Sequence, residues 1–533
     1  MILPAFQLVV RPILPTYGSA CQAYKDPYSA VRIACLRVGG RTEAVYTRNH
    51  SLQAQDDVAV HPTRNHPAPH IASWAQQLLR TGAGDLLLRK TADPTVVQAL
   101  QRWFFPLSRL WAAANEASGD LGRFRHLRGR DGIRDGAIAA QLVSGVLRGH
   151  DAARRRMIEA RRNWETGAFG ESNVEPADFG RLEARRRRSA TLHLATRTLF
   201  YPLMFPTRPV SAFWEIPAPL EVDALWGEVL DSPQVFFAQA RAAEDVAESP
   251  AVARGPTREF WIRFPTPAPR LAARPESRFC YARVSEPSDG RPVPTLIAGS
   301  GLCLETDLIW PATFEASGFI LGDFRIVDIV SPYHGLRAFN DRYGGEPFLA
   351  TAPLGTIDLV LGQTLETAAL VGWARQRFGG KVAVGGMSMT SLVAQQVASR
   401  CDAWHEPLRP DAVLLMAHSG DLADVILRSA LVQSIGLDKA LQRAGWTEEK
   451  LRRWSALLDP TPQPAMSPQQ IVSTLGTSDR VLPYGGGAAL VQRWQLPPQN
   501  VFHFPIGHLL LPLGLMRDDQ PLRRLHAILT DGA

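Results

Sequence analysis

The sequence predicts an α/β protein, with a mostly parallel sheet covered by helices and a mixed, largely helical N-terminal region before it. Two observations carry this expectation. Short, mostly apolar stretches such as 324–330, 381–386 and 412–417 read as strands, of the kind covered on both faces. They alternate with helical stretches, the longest over 356–377, as parallel neighbours need covering crossovers.

Bulk properties bound the remaining classes. A chain of 533 residues exceeds one ordinary core and implies two or three domains. With 45% hydrophobic and 20% charged residues it reads as a globular protein, neither disordered nor membrane-embedded. No uninterrupted apolar run approaches the roughly 18–20 residues of a bilayer span; the nearest, 190–206, contains His193, Arg197 and two prolines. The opening stretch lacks a basic segment and carries Pro4, a poor secretory signal. Five scattered cysteines (Cys21, Cys35, Cys280, Cys303, Cys401) without a CxxC pair suggest free thiols and a cytoplasmic setting. The net charge of +7 resides in residues 121–200, where 17 Arg face 9 Asp and Glu.

Element by element, β-branched residues flank Gly39-Gly40, predicting a hairpin in a small β-containing segment over 1–70. A Pro- and His-rich loop with His61, His66 and His70 closes it. From 71 to 255 the pattern is helical and Arg-rich, with Ile138, Leu142, Val146 and Val143, Leu147 at helical spacing. Short strands follow at 260–264, 279–284 and 293–299, opening a domain over 256–533. A helical insert at about 422–458 is expected to cap that domain, and strands at 470–476 and 500–505 end the alternation.

The chemistry concentrates at Val384-Gly-Gly-Met-Ser388-Met-Thr390, where a strand runs into a helix through a tight turn with serine at its apex. That context defines a nucleophile elbow of the α/β-hydrolase fold, usually G-x-S-x-G. Thr390 replaces the last glycine, a substitution that weakens the pattern by adding a β-branched side chain. Two further strand ends follow in the required order: Leu475-Gly-Thr-Ser-Asp479 and Phe504-Pro-Ile-Gly507-His508, 91 and 29 residues on. A serine hydroxyl is a weak nucleophile and needs a base, and the base needs an acid to orient it. Ser388, His508 and Asp479 supply the three roles. The oxyanion donors are expected at the Met389 backbone and in the loop with Gly299 and Ser300.

Together Ala298-Gly-Ser-Gly301, Ser331-Pro-Tyr-His-Gly-Leu-Arg337 and the Gly-Met-Ser388 elbow resemble the α/β-hydrolase family called abhydrolase domain-containing protein eighteen, over about 293–511. The departures are Thr390 for glycine and Leu302 for an acidic residue. The resemblance implies a Ser-Asp-His hydrolase fold, lipase-like in suspected preference for a lipid acyl ester.

Alternatives stay open at several positions. Asp421 and Asp424 compete with Asp479, and His418 with His508; His418 otherwise reads as a buried or pocket-lining residue. Tyr333, His334 and Gly335 read equally as acyl pocket, oxyanion contact or structural loop. A zinc site at His61, His66 and His70 lacks acidic or thiol neighbours, so neither metal nor cofactor is expected. Arg154–Arg156, Arg161-Arg162 and Arg185–Arg188 are interleaved with Glu159, Glu165 and Glu183, which favours a salt-bridged surface. An anionic membrane is the preferred partner of such a face, and nucleic acid the less favoured one. The expected activity is serine ester or thioester hydrolysis without a cofactor; acyl transfer by the same triad and a non-catalytic scaffold are the rivals.

Overall fold

The computed structural model describes residues 33–38, 41–46, 79–82, 84, 92–127, 137–171, 173–204, 210–303 and 323–530. The loop holding His61, His66 and His70, and the Gly39-Gly40 turn, lie outside them. Packing separates an N-terminal unit from a larger one beginning at His70. In the first, β1 (Ile33–Val38) pairs antiparallel with β2 (Arg41–Tyr46), as the β-branched flanks predict.

The larger unit begins with helices. α1 (Ala92–Ala99) continues through a π-turn into α2 (Phe105–Ala117), and α3 (Ala137–Phe169) packs along α4 (Pro176–Ala195). On α3 the buried stripe is Val143 and Leu147, while Leu142 is 68% exposed, so the second of the two expected registers faces the core. Trp164, Ala168 and Phe179 pack on Trp261, Tyr281, Val330 and Leu336 of the sheet domain. Arg186 lies inside this contact. It donates to buried Glu183 at 2.9 and 3.0 Å and stacks on Trp164 and Trp261. Arg187 reaches Glu183 and Glu259. Part of the basic run is therefore internal, whereas Arg185 pairs with Glu159 on the surface.

The sheet contains β3 (Ala247–Glu248), β4 (Val252–Arg254), β5 (Thr257–Pro265), β6 (Phe279–Pro287), β7 (Thr295–Gly299), β8 (Arg325–Ile329), β9 (Val382–Met387), β10 (Ala412–Met416), β11 (Ile471–Gly476) and β12 (Val501–Phe504). Among the described residues its order is β12-β11-β10-β9-β7-β8-β6-β5-β3, with β4 on β5. The strands from β12 through β8 are parallel; β6, β5, β3 and β4 join antiparallel. A mixed sheet with this strand order, helices packed around it and a strand–serine–helix elbow on a central strand is the α/β-hydrolase fold. The five residues of each of β7, β8 and β10 are all buried; β10 accordingly runs apolar without alternation, while β8 buries Arg325 and Asp328 as ion pairs with Glu286 and Arg283 of β6. On one face Leu296, Ala298, Ala383, Met387, Leu414, Met416 and Val472 meet Leu511, Leu522, Leu525 and Leu529.

Helix α5 (Leu354–Phe378) precedes β9, and α6 (Met389–Arg400) follows it. Among the described residues α5 is the one helix long and apolar enough to cross a membrane, and it is buried in the fold from Gly355 to Ala374. Five short helices fill Leu422–Leu458. The polar residues of α5 anchor the packing. Glu366 is fully buried and takes two hydrogen bonds from Arg337, at 2.7 and 2.9 Å, and one from Thr266 at 2.6 Å. The same guanidinium donates to the carbonyls of Val330 and Ser277. The arginine that ends the Ser331–Arg337 segment therefore ties the end of β8 to α5.

Removing one member of such a pair strands a charge in the interior. Glu366→Leu is expected to lower unfolding free energy by about 3–5 kcal/mol, and Arg337→Met with Glu366→Leu by much less. Urea denaturation of the three proteins checks the difference.

Candidate active site

The serine turn is built from β9 into α6. Ser388 has φ 56° and ψ −114°, left-handed backbone that a non-glycine residue adopts only under constraint. Its N–H donates to the Met416 carbonyl of β10 at 3.0 Å, and its carbonyl accepts from the Ser391 N–H and hydroxyl. Gly386 is required by close approach: a Cβ there would lie 2.1 Å from the Thr390 carbonyl oxygen.

Thr390 stands where the usual pattern has its last glycine. Its hydroxyl accepts the Met387 N–H at 3.0 Å and lies 3.1 Å from the Met387 carbonyl, to which it donates. The side chain thus bridges the turn. Space for it comes from Gly299 on β7, where a Cβ would lie 2.8 Å from the Thr390 Cβ.

His508 Nε2 lies 2.8 Å from Ser388 Oγ, and its Nδ1 lies 2.7 Å from Asp479 Oδ2. The other Asp479 oxygen accepts the N–H groups of Val481 and Leu482, both at 2.9 Å, which fixes the carboxylate. His508 and Asp479 are buried and Ser388 is half-buried. Burial disfavours the imidazolium, but the charge and hydrogen bond of Asp479, with a further contribution from Asp93, outweigh it and raise the His508 pKa.

The competing residues lie elsewhere. Asp421 caps the helix Leu422–Arg428 by accepting the Asp424 N–H, and Asp424 pairs with Arg428. His418 is buried with Nε2 2.8 Å from Ser473 Oγ, and burial lowers its pKa to about 3.

Met389 begins α6, so its N–H has no acceptor within the helix. Gly299 pairs with Gly386 across β7 and β9, and the buried Ser300 hydroxyl has no hydrogen-bond partner among the described residues. His334 holds the same loop. Its Nδ1–H donates to the Pro332 carbonyl at 2.8 Å, and its Nε2 accepts the Cys303 N–H at 3.1 Å. Burial lowers its pKa to about 4, keeping Nε2 an acceptor at neutral pH. Tyr333, at φ 69°, is fully buried and stacks on Phe339, and Gly335 begins the following 3-10 turn.

One group beside the site escaped the sequence reading. Asp93, on α1, accepts the backbone N–H groups of His508 and Leu509. It lies 415 positions from His508, and Gly507 was the sole local signal of its approach.

No family model and no curated protein matches the chain. Several solved structures resemble it in part. Acetyl xylan esterase from Paenibacillus sp. R4 is 14% identical, with 59% of this chain and 97% of that one covered, at a TM-score of 0.41. Acetyl xylan esterase 1 from Thermoanaerobacterium sp. JW/SL YS485 is 15% identical, covering 60% and 97%, at 0.37. An S-formylglutathione hydrolase from Agrobacterium tumefaciens is 14% identical, covering 52% and 98%, at 0.34. The fold assignment stands on strand order and elbow position.

The Thr390 bridge predicts different outcomes for two small substitutions. Thr390→Val keeps the shape but leaves the Met387 N–H without its acceptor, and should destabilise by about 1–3 kcal/mol. Thr390→Ser should stay close to wild type in the same urea titration.

Proposed function

We propose that this chain is a serine hydrolase that cleaves a carboxylic ester or thioester through an acyl-enzyme on Ser388. The observation that carries the reading is the continuous chain Ser388–His508–Asp479, with contacts of 2.8 and 2.7 Å. Each group follows a different strand of the parallel part of the sheet.

In this reading His508 Nε2 takes the Ser388 hydroxyl proton as Oγ attacks the substrate carbonyl. Asp479 holds the Nδ1–H tautomer and stabilises the imidazolium. The tetrahedral oxyanion is met by the Met389 N–H and by N–H groups of the Gly299–Gly301 loop. Collapse expels the alcohol or thiol, which takes the proton from His508. Water then repeats the sequence on the acyl-enzyme and regenerates Ser388. The resemblance of 293–511 to abhydrolase domain-containing protein eighteen extends the proposal to a lipid acyl ester.

A fluorophosphonate probe on the full chain tests the nucleophile. Wild type should label, Ser388→Ala should not, and Asp479→Asn should label about 10³–10⁴-fold more slowly. The rate should rise with pH as His508 loses its proton, with a midpoint above the usual imidazole value of about 6.5 because the His508 pKa is raised. Absence of labelling in wild type sinks the reading and favours a scaffold. Acyl transfer to an added alcohol or amine in preference to water would replace hydrolase by acyltransferase.

A further inference from the structure

We propose that Asp93 is a positioning residue for this site, clamping the turn that carries His508 from a helix in the N-terminal helical region. The inference rests on the reading of His508 as the general base. Asp93 is the second residue of α1 and is 3% exposed. Its Oδ2 accepts the His508 N–H at 3.1 Å and its Oδ1 accepts the Leu509 N–H at 2.9 Å.

Those two N–H groups open the 3-10 turn His508–Leu510, which runs into α7 (Leu511–Arg517). Donors at a helix start have no acceptor inside the helix. A side chain on the preceding residue ordinarily supplies one, but that residue is Gly507. Asp93 provides the missing cap from a remote segment, and both carboxylate oxygens are used.

Gly507 has a φ of −93°, so left-handed backbone does not explain the glycine. Space does: a Cβ at 507 would lie 2.2 Å from the Asp93 Cγ. The Gly507-His508 pair at the end of the last strand is therefore the footprint of Asp93. A side chain at 507 would force the carboxylate off the two N–H groups.

A cap that only stabilised a helix could sit on any turn. This one fixes the backbone of the residue whose ring must meet Ser388 on one side and Asp479 on the other. Its charge also acts on the ring. Among the described residues, Asp479 and Asp93 are the acidic groups that favour the His508 imidazolium, against the opposing effect of burial. Burial raises the Asp93 pKa, while the Leu509 N–H and the His508 charge work in the other direction.

The test measures the rate of fluorophosphonate labelling against pH for full-length wild type, Asp93→Asn, Gly507→Ala and the double variant. Asp93→Asn removes the charge and one acceptor but keeps the shape. Its plateau rate should fall about tenfold, as for a displaced catalytic group, and its acid limb should move to lower pH. Gly507→Ala should lower the plateau similarly, and the double variant should be no worse than the poorer single one. A purely structural cap would reduce the labelled fraction without moving the midpoint. If wild type labels and Ser388→Ala does not, yet Asp93→Asn keeps the wild-type rate and midpoint, the assignment to Asp93 is overturned while the hydrolase reading stands. If wild type fails to label, the hydrolase reading itself falls. Should Asp93→Asn be insoluble, Gly507→Ala decides alone, and a wild-type rate and midpoint there overturn the clamp.

Discussion

The backbone of Ser388 is held where a serine does not go unaided. At φ 56° and ψ −114° it occupies a region that costs on the order of 1–3 kcal/mol, and the surrounding structure supplies what keeps it there. β10 receives its N–H through the Met416 carbonyl, and the first turn of α6 closes on its carbonyl through Ser391. The Thr390 hydroxyl spans the Met387 peptide groups just before it. Gly386 and Gly299 admit the strand-to-helix crossing at distances a side chain would not permit. These contacts depend on β7, β9 and β10 being parallel neighbours in their observed register, so the central sheet and the serine turn specify each other.

How much of this was legible in the sequence varies with the range of the interaction. Buried parallel strands appear as short apolar runs, and each run from 293 onward became a strand with ends within a few residues of expectation. The Ser388, Asp479 and His508 positions were readable because each is announced locally, by a turn, an acid or a glycine beside a strand end. Long-range interactions left weaker traces. Nothing in an Arg-rich helix distinguishes Arg186, packed on two tryptophans, from Arg185 on the surface one residue earlier. The antiparallel join of β5 and β6 is equally silent, since their composition resembles that of the other strands. At Thr390 the pattern shows a lost glycine, and only the fold shows the compensating Gly299 and the hydroxyl bridge.

The spacing of the strands explains why the histidine end needs support from outside the sheet. Neighbouring strands lie about 4.8 Å apart, and Ser388 follows β9 whereas His508 follows β12, with β10 and β11 between them. Contacts of 2.8 and 2.7 Å at the ring require the chain after β12 to fold back across that gap. Sheet-like bonding continues past the strand ends to start this return. Thr477 N–H donates to the Phe504 carbonyl and Ser478 N–H to the Ile506 carbonyl, so the Asp479 and His508 loops travel together. That zipper braces one side of the returning chain and ends before His508 itself. Just past Gly507, the N–H groups of His508 and Leu509 are those that Asp93 accepts. The helical N-terminal region thus enters the site at the point where the sheet's own hydrogen bonding runs out, and α1 completes a geometry that the α/β domain alone leaves open at one turn.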